Sequence, residues 1–306
     1  MLRWPYKYRL TEGRKIPVKY VTGLLRKRDI FLENIYIFLA PLPASGVVKG
    51  ETRDERITVS LTSFPARINQ AYYAIKSLML QKHKPDRIVL WLSALQFPDK
   101  KLPEKFKKLI ERGLEVRFVD EDLRSHKKYY YSLQEQQPGE MVITYDDDLI
   151  YEPESIAKLI RTHERNPECV VCNRGWTIKG NTDEGVKPYS EWTLISDEGV
   201  ETPSHKILAS TGAGCLYPYG VMPRELFDKA SIKELAPTAD DLWLKFNELN
   251  HGIKVVKTDK RWGVLCDVYG SQKFSLNHVN CDECENDRVI KRLAEKFPNA
   301  LKNLWK

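Results

Sequence analysis

Three consecutive carboxylates, Asp146, Asp147 and Asp148, follow the apolar run Met141-Val-Ile-Thr-Tyr145, and a second acidic pair, Asp240 and Asp241, opens the stretch 239–250. Adjacent acids repel one another, and a hard divalent cation relieves that repulsion. Mg2+ and Mn2+ take oxygen donors, usually one or two protein carboxylates together with the oxygens of a substrate phosphate. If the apolar run is a strand, side-chain alternation sends Asp146 and Asp148 to one side and Asp147 to the other. An isolated acidic triplet also suits a solvated turn, because charge clusters usually belong to the surface. Its place after a buried-type strand favours a ligand site, since open α/β sheets bind ligands beyond the carboxyl ends of their strands.

The elements that would hold these acids alternate. After a loop rich in Pro, Gly and Ser at 41–50, the patterns read as a strand at 57–62, a helix at 69–81, a strand at 87–92, a helix at 103–111 closed by Gly113, and a strand at 115–119. Such β-α-β-α-β order implies a mostly parallel sheet with right-handed crossovers and a ligand site along the strand tips. A loop at 120–128, carrying His126, Lys127 and Lys128, leads through 129–134 into the strand before the triplet. A helix is expected from Pro153, which suits a first turn. Further on, 170–178 and 207–217 read as strands, the second broken by Gly212 and Gly214, where a ligand could approach the backbone closely. Residues 239–250 read as a helix stopped by Gly252, 253–258 as a strand, and 287–297 as a closing helix.

Composition narrows the function class. The chain has 306 residues, 42% hydrophobic, and a formal net charge of +7. Residues 1–50 carry ten Lys or Arg against three acids, a difference of seven, so the remainder is about neutral. A nucleic-acid-binding protein would spread its basic footprint over the folded domain. Here the charge marks an N-terminal extension in which Val21, Leu24, Leu25, Phe31, Ile35, Phe38 and Leu39 approach a helical stripe around Arg26, Lys27 and Arg28. This helix either packs on the domain or lies on an anionic membrane surface. No secretory signal or bilayer-spanning run is evident, and a reduced cytoplasmic setting suits the cysteines. Cys169/Cys172 and Cys281/Cys284 form two C-x-x-C pairs, but their 108-residue separation does not match compact zinc sites, whose pairs lie within about 20 residues.

Several of these segments, taken in order, resemble a known family. Ile57-Thr-Val-Ser-Leu-Thr-Ser-Phe-Pro-Ala-Arg67, Ala74-Ile-Lys-Ser-Leu-Met-Leu-Gln81 and Lys84-Pro-Asp-Arg-Ile-Val-Leu-Trp91 are similar to the opening of bacterial family-2-like glycosyltransferases of the GT-A fold, in the capsular and lipopolysaccharide branch. Tyr145-Asp-Asp-Asp-Leu-Ile-Tyr151 falls where that fold places its Asp-x-Asp metal motif, and Ala239-Asp-Asp-Leu-Trp-Leu244 where it places an acidic pair. The resemblance covers about residues 55–260 and implies a Rossmann-like, mostly parallel sheet flanked by helices; with the charge pattern it divides the chain into a basic extension at 1–50, the transferase domain at 51–275 and a helical tail at 276–306. It implies sugar transfer from a UDP- or GDP-sugar to a glycan or lipid-linked acceptor in surface polysaccharide synthesis in the cytoplasm, and the basic amphipathic N-terminal segment could attach such an enzyme to the inner face of the cytoplasmic membrane.

What the resemblance implies for residues follows the reaction. Mn2+ or Mg2+ held by Asp146 and Asp148 would stabilise the leaving diphosphate, with Lys127 or Lys128 as a further positive contact. Thr62, Ser63, Pro65, Arg67, Asp120 and Asp147 would receive the donor. Inversion needs a base opposite the leaving group. Asp240 and Asp241, at a helix N-terminus that favours ionised carboxylates, fit that role, one capping the helix and Asp241 reacting. The family's Glu-Asp pair is Asp-Asp here, which leaves the choice between them open. His278 is weighed as a third metal ligand, as in some retaining relatives, against a structural role. Trp176 beside Arg174, and Trp192 in an irregular segment, could stack on sugar rings, and Trp176, Arg174, Gly212 and Gly214 would meet the acceptor, whereas buried aromatics such as Trp262 more usually belong to the core.

Other chemistries fit less well. A sugar-phosphate nucleotidyltransferase needs a Gly-rich loop after the first strand, and Thr62-Ser-Phe-Pro-Ala-Arg67 contains no Gly. A phosphatase with a nucleophilic Asp-x-Asp expects a small or hydroxyl residue where Ile150 stands. A non-catalytic carbohydrate-binding or scaffolding protein is the alternative from a different class.

Overall fold

The computed structural model describes residues 18–50, 53, 55–182, 185–194, 196–259, 265–274 and 285–306, with side chains from residue 27 onward. Its centre is a seven-stranded sheet built from β1 (Arg56–Thr62), β2 (Arg87–Ser93), β3 (Leu114–Val119), β4 (Glu140–Tyr145), β5 (Val170–Cys172), β6 (Ala213–Tyr217) and β7 (Val255–Lys257). The spatial order is β7-β5-β6-β4-β1-β2-β3, and all neighbours run parallel except β6, which is antiparallel to both β4 and β5. Nine helices among the described residues flank it: α1 (Val18–Leu39), α2 (Ile68–Met79), α3 (Phe106–Ile110), α4 (Lys127–Glu135), α5 (Ser155–His163), α6 (Lys229–Leu235), α7 (Asp240–Asn250), α8 (Glu285–Lys296) and α9 (Ala300–Leu304).

This is the expected α/β architecture with a mostly parallel central sheet. From β1 the chain steps outward through β2 to β3, then returns to place β4 on the other side of β1. The tips of β1 and β4 therefore flank a topological switch point, where crevices open in such sheets. Alternation along β1 divides the two layers. Ile57, Val59 and Leu61 enter one apolar core with α2 and α5, while the opposite face carries Thr58 and Ser60.

Two departures from the expected pattern shape the site. The segment before β4 contains helix α4 rather than only an extended loop. It packs on the polar face of β1 through a buried seam: Trp91 Nε1 donates to Ser132 Oγ at 2.8 Å, Ser132 Oγ to Ser60 Oγ at 2.7 Å, and Ser60 Oγ to the Lys128 carbonyl at 2.5 Å. Small hydroxyls let the helix approach closely, and the last of these bonds fixes the backbone of Lys128.

The second departure is that 170–178 and 207–217 each form two short strands. The inner parts enter the main sheet as β5 and β6, whereas Gly175–Thr177 and Ile207–Ala209 pair with each other as an antiparallel ribbon. The chain leaves the sheet at Asn173, whose buried amide donates to Ser155 Oγ at 3.1 Å. A Cβ at Gly175 would fall 2.6 Å from Ile207 Cγ2 and 3.0 Å from the Leu208 carbonyl, so a side chain there would push the two strands of the ribbon apart.

Cys172 and Cys215 face each other across β5 and β6 as buried free thiols. Cys281, Cys284, His278 and Trp262 lie outside the described residues, and no group of three or more His, Cys, Asp or Glu placed to hold a metal is found among the described ones. α1 packs Ile37 against Ile150, Cys266 and Val268. No helix among the described residues is long and apolar enough to cross a membrane.

Candidate active site

A cleft of about 590 Å³ opens at the tips of β1 and β4. Its walls bring together Thr62, Ser63, Arg67, Lys127, Lys128, the three acids 146–148 and the pair Asp240 and Asp241. Residues as far apart in sequence as Thr62 and Asp241 thus meet because α4, the β4 tip and the start of α7 converge on one point.

The acidic triplet does not follow strand alternation. β4 ends at Tyr145 and residues 146–148 bend, so Asp147 and Asp148 share one cation while Asp146 takes another. Arg67 Nη1 lies 2.9 Å from Asp147 Oδ1 and 3.1 Å from Asp148 Oδ2. Lys128 Nζ lies 2.6 Å from Asp146 Oδ1. Asp147 is buried and also accepts from Ser63 Oγ at 2.5 Å. Its oxygens hold Ser63 and Arg67 in place on the cleft wall. Thr62 similarly spends its hydroxyl on the Trp91 carbonyl, at 2.8 Å.

Tyr151 fixes the bend. Its hydroxyl accepts from the Asp146 N–H at 2.9 Å and lies 2.7 Å from the Gly212 carbonyl. Gly212 in turn makes room for Asp146: a Cβ there would fall 1.7 Å from Asp146 Oδ2. At Gly214 (φ +100°), a Cβ would meet Asn173 Nδ2 at 2.6 Å. Both glycines therefore accommodate the protein's own side chains, Asp146 at Gly212 and Asn173 at Gly214.

Lys128 links the two acidic groups. Its ammonium, with a side chain only 3% exposed, also lies 3.0 Å from Asp240 Oδ2. Burial disfavours the charge, but Asp146, Asp240 and Asp241 outweigh it and raise the lysine's pKa. Lysines at a helix N-terminus oppose the helix dipole, so α4 begins with two of them because acids surround them. Lys127 pairs with Asp122, although burial still lowers its pKa. His126 is fully buried and neutral, its pKa depressed chiefly by burial. Since a carbonyl only accepts, His126 Nε2–H donates to Ala236 O at 2.7 Å and Nδ1 accepts from Tyr129 OH at 2.8 Å. This ties α4 to the turn that delivers Asp240.

Neither acid of the pair caps α7. The N-cap is Ala239, without a side-chain bond; the carboxylates reach sideways to Thr211 instead. Thr211 Oγ1 lies 3.0 Å from Asp240 Oδ2 and hydrogen-bonds Asp241 Oδ1, while the Thr211 N–H donates to Asp241 Oδ1 at 3.0 Å. The two environments diverge. Burial pushes Asp240 up, yet Lys128 and other hydrogen bonds bring it down to about 2. Burial and the neighbouring Asp240 charge push Asp241 up to about 7, more than Lys128 and Thr211 offset. A pair split in this way supplies one fixed anion and one group able to exchange a proton near neutrality.

Other expected residues lie elsewhere. Pro65 and Asp120 are exposed and do not line the cleft; Phe64 and Asp122 do. Trp176 and Arg174 also lie off its wall. The Arg174 guanidinium sits 5.8 Å from the Trp176 ring, and Trp176 packs toward Tyr189, which itself lines the cleft with Leu208, Thr238 and Asn286. Trp192 is core. Sequence reading missed Asp122 and Thr211 and gave His126 no role of its own, because their parts come from contacts across the fold.

A divalent ion fits the residues at the triplet. Asp146 and Asp148 offer only oxygen donors, and two carboxylates plus substrate phosphate are the usual set for Mg2+ or Mn2+. Burial, together with the Asp146 charge, raises Asp148 to about 7, the mark of negative charge that a cation would relieve.

No protein-family model matches the chain, and no curated protein matches it in sequence. Solved structures give distant likenesses of shape. The mannosyltransferase PcManGT from Pyrobaculum calidifontis, in complex with GDP-Man and Mn2+, is 13% identical over 93% of this chain and 84% of that one, with a TM-score of 0.45. S. aureus TarS 1–349 is 15% identical over 67% of this chain and 58% of that one, TM-score 0.39; its complex with UDP gives 16% and 0.40 over the same shares. The chain spans less than two thirds of the TarS fragment. The roles of the cleft residues rest on their own geometry.

Proposed function

We propose that the chain is a GT-A-type glycosyltransferase that moves a hexosyl group from a UDP- or GDP-sugar to a glycan or lipid-linked acceptor, with inversion and with dependence on Mn2+ or Mg2+. The observation that carries this reading is the meeting, in one cleft at the switch point, of an acid triplet suited to a metal–diphosphate and an acid pair whose proton affinities are split.

Asp146 and Asp148 would hold the metal, which when bound supplies Lewis-acid charge to the leaving diphosphate. Lys128 and Lys127 place two further ammonium groups on the wall facing that diphosphate, where preorganised charge stabilises developing negative charge. Asp241 is the base. It takes the proton of the acceptor hydroxyl as the acceptor oxygen bonds to the anomeric carbon; the bond from that carbon to the diphosphate oxygen breaks, and its electron pair leaves with the diphosphate. Asp240 stays ionised against Lys128 and keeps Asp241 basic through its own charge. We place the reaction in surface polysaccharide synthesis, capsule or lipopolysaccharide, on the cytoplasmic side, as the sequence resemblance implies.

The test is a thermal-shift screen of UDP, GDP and their sugars with and without Mn2+. A ligand that binds only the folded state raises the melting temperature in proportion to its affinity. A nucleoside diphosphate should stabilise the protein far more with Mn2+ than without, and Asp148→Asn should remove the difference. An unchanged metal dependence in that variant refutes the assignment of the triplet.

A further inference from the structure

The described part of α1 carries two faces. Ile30, Asn34 and Ile37 turn toward the domain, whereas Phe31, Leu32, Ile35, Phe38 and Leu39 are exposed, Phe31 by 63% and Phe38 by 66%. At 100° per residue, these five fall within one arc, and Lys27 and Arg28, both exposed, lie in the same arc at its N-terminal end; Arg28 shares its charge with Asp29. Tyr269, 87% exposed, is held beside them through its N–H to Asn34 Oδ1 at 2.8 Å.

We infer that this face docks on an anionic bilayer and thereby holds the cleft beside the membrane, so that the acceptor is lipid-borne. Contiguous exposed apolar residues mark an interaction surface, and the charge selects the occupant. The described arc carries Lys27 and Arg28 and no acid, so a second copy of the same face brings it no opposite charge. Anionic lipid headgroups complement these two cations, and aromatic residues suit the interfacial region. The face is also tied directly to the proposed chemistry. Asn34 Nδ2 donates to the Asp267 carbonyl at 3.0 Å, and the next residue, Val268, donates its N–H to the Asp148 carbonyl at 2.8 Å. The bilayer attachment stands on α1 alone; the lipid-borne acceptor rests on the proposed transfer reaction.

Co-sedimentation of the full chain with vesicles of pure phosphatidylcholine and of phosphatidylcholine with phosphatidylglycerol tests the attachment without any sugar donor. Binding should need the anionic lipid. Lys27→Ala with Arg28→Ala should weaken it by roughly thirtyfold, and Phe31→Asp with Phe38→Asp should abolish it. These side chains are exposed, so thermal unfolding and the Mn2+-dependent response to nucleoside diphosphate should stay as in wild type. Equal binding to both vesicles, binding to neither, or a dimer in solution that the Phe31/Phe38 variant dissolves would each overturn the attachment. Loss of the nucleotide response with vesicle binding intact would instead remove the transfer reading and leave the docking surface standing.

Discussion

The two acidic groups of the cleft hold negative charge by opposite means. The triplet at the end of β4 is bracketed by cations, Arg67 on Asp147 and Asp148 and Lys128 on Asp146. The pair at the start of α7 has one cation, Lys128, which serves Asp240; Asp241 is left to Thr211. A carboxylate with a buried ammonium stays ionised, whereas one facing chiefly another carboxylate is driven toward its neutral form. A cation at contact distance is not enough by itself: Asp148, 3.1 Å from Arg67, is raised to about 7 by burial and the Asp146 charge, much as Asp241 is raised to about 7 by burial and the Asp240 charge, whereas Asp240 beside Lys128 is brought down to about 2.

The contrast depends most on Lys128. Lys128→Met leaves Asp146 and Asp240 without their shared ammonium, and removing one partner of a buried ion pair costs about 3–5 kcal/mol. A loss of that size in denaturant unfolding, together with loss of transfer, is expected, with partial recovery in Lys128→Arg. A variant as stable as wild type would show that the two groups are not linked.

Next come the two separable losses. Asp241→Asn should lower turnover by about 10²- to 10⁴-fold, the usual contribution of a general base, while leaving Mn2+-dependent nucleotide binding intact. Asp148→Asn should do the reverse, abolishing that binding first. NMR of the product should show inverted anomeric configuration; retention would end the role of Asp241 whatever its variant does.

The pH profile sharpens the comparison further. The base acts as the carboxylate, so with Asp241 raised to about 7 turnover should climb as pH rises through about 7 and flatten above it. Thr211 hydrogen bonds favour the charged form of Asp241. Thr211→Val should therefore raise its pKa and move this limb to higher pH, with a modest loss of stability, on the order of 1–3 kcal/mol, for the hydrogen bonds removed.

What was legible in the sequence was local. The run from β1 to β3 reads from periodicity, and the acids read from their clustering. α4 was not legible as the wall of the site: Lys127 and Lys128 read as loop cations for a diphosphate, and only the fold sets them at the start of a helix among Asp122, Asp146 and Asp240. Thr211 gave no signal, since its partners lie about thirty positions onward. The misplacements were small in sequence and decisive in space. Asp120 and Pro65 each stand one or two residues from the side chain that enters the cleft, where strand ends and turns set direction. Gly212 and Gly214 correctly marked a close approach, but what approaches is Asp146 in one case and Asn173 and Tyr145 in the other.

The bridge made by Lys128 also limits how this chain can be recombined. Its helix belongs to the front half of the sheet and one of its two acids to the back half, so a chimaera joined between β5 and β6 would carry the ammonium from one parent and Asp240 from the other. Unless both parents keep that pairing, the hybrid inherits a buried charge with no counterpart. Parts of the two halves can be exchanged freely only where the exchange leaves 128, 146 and 240 together.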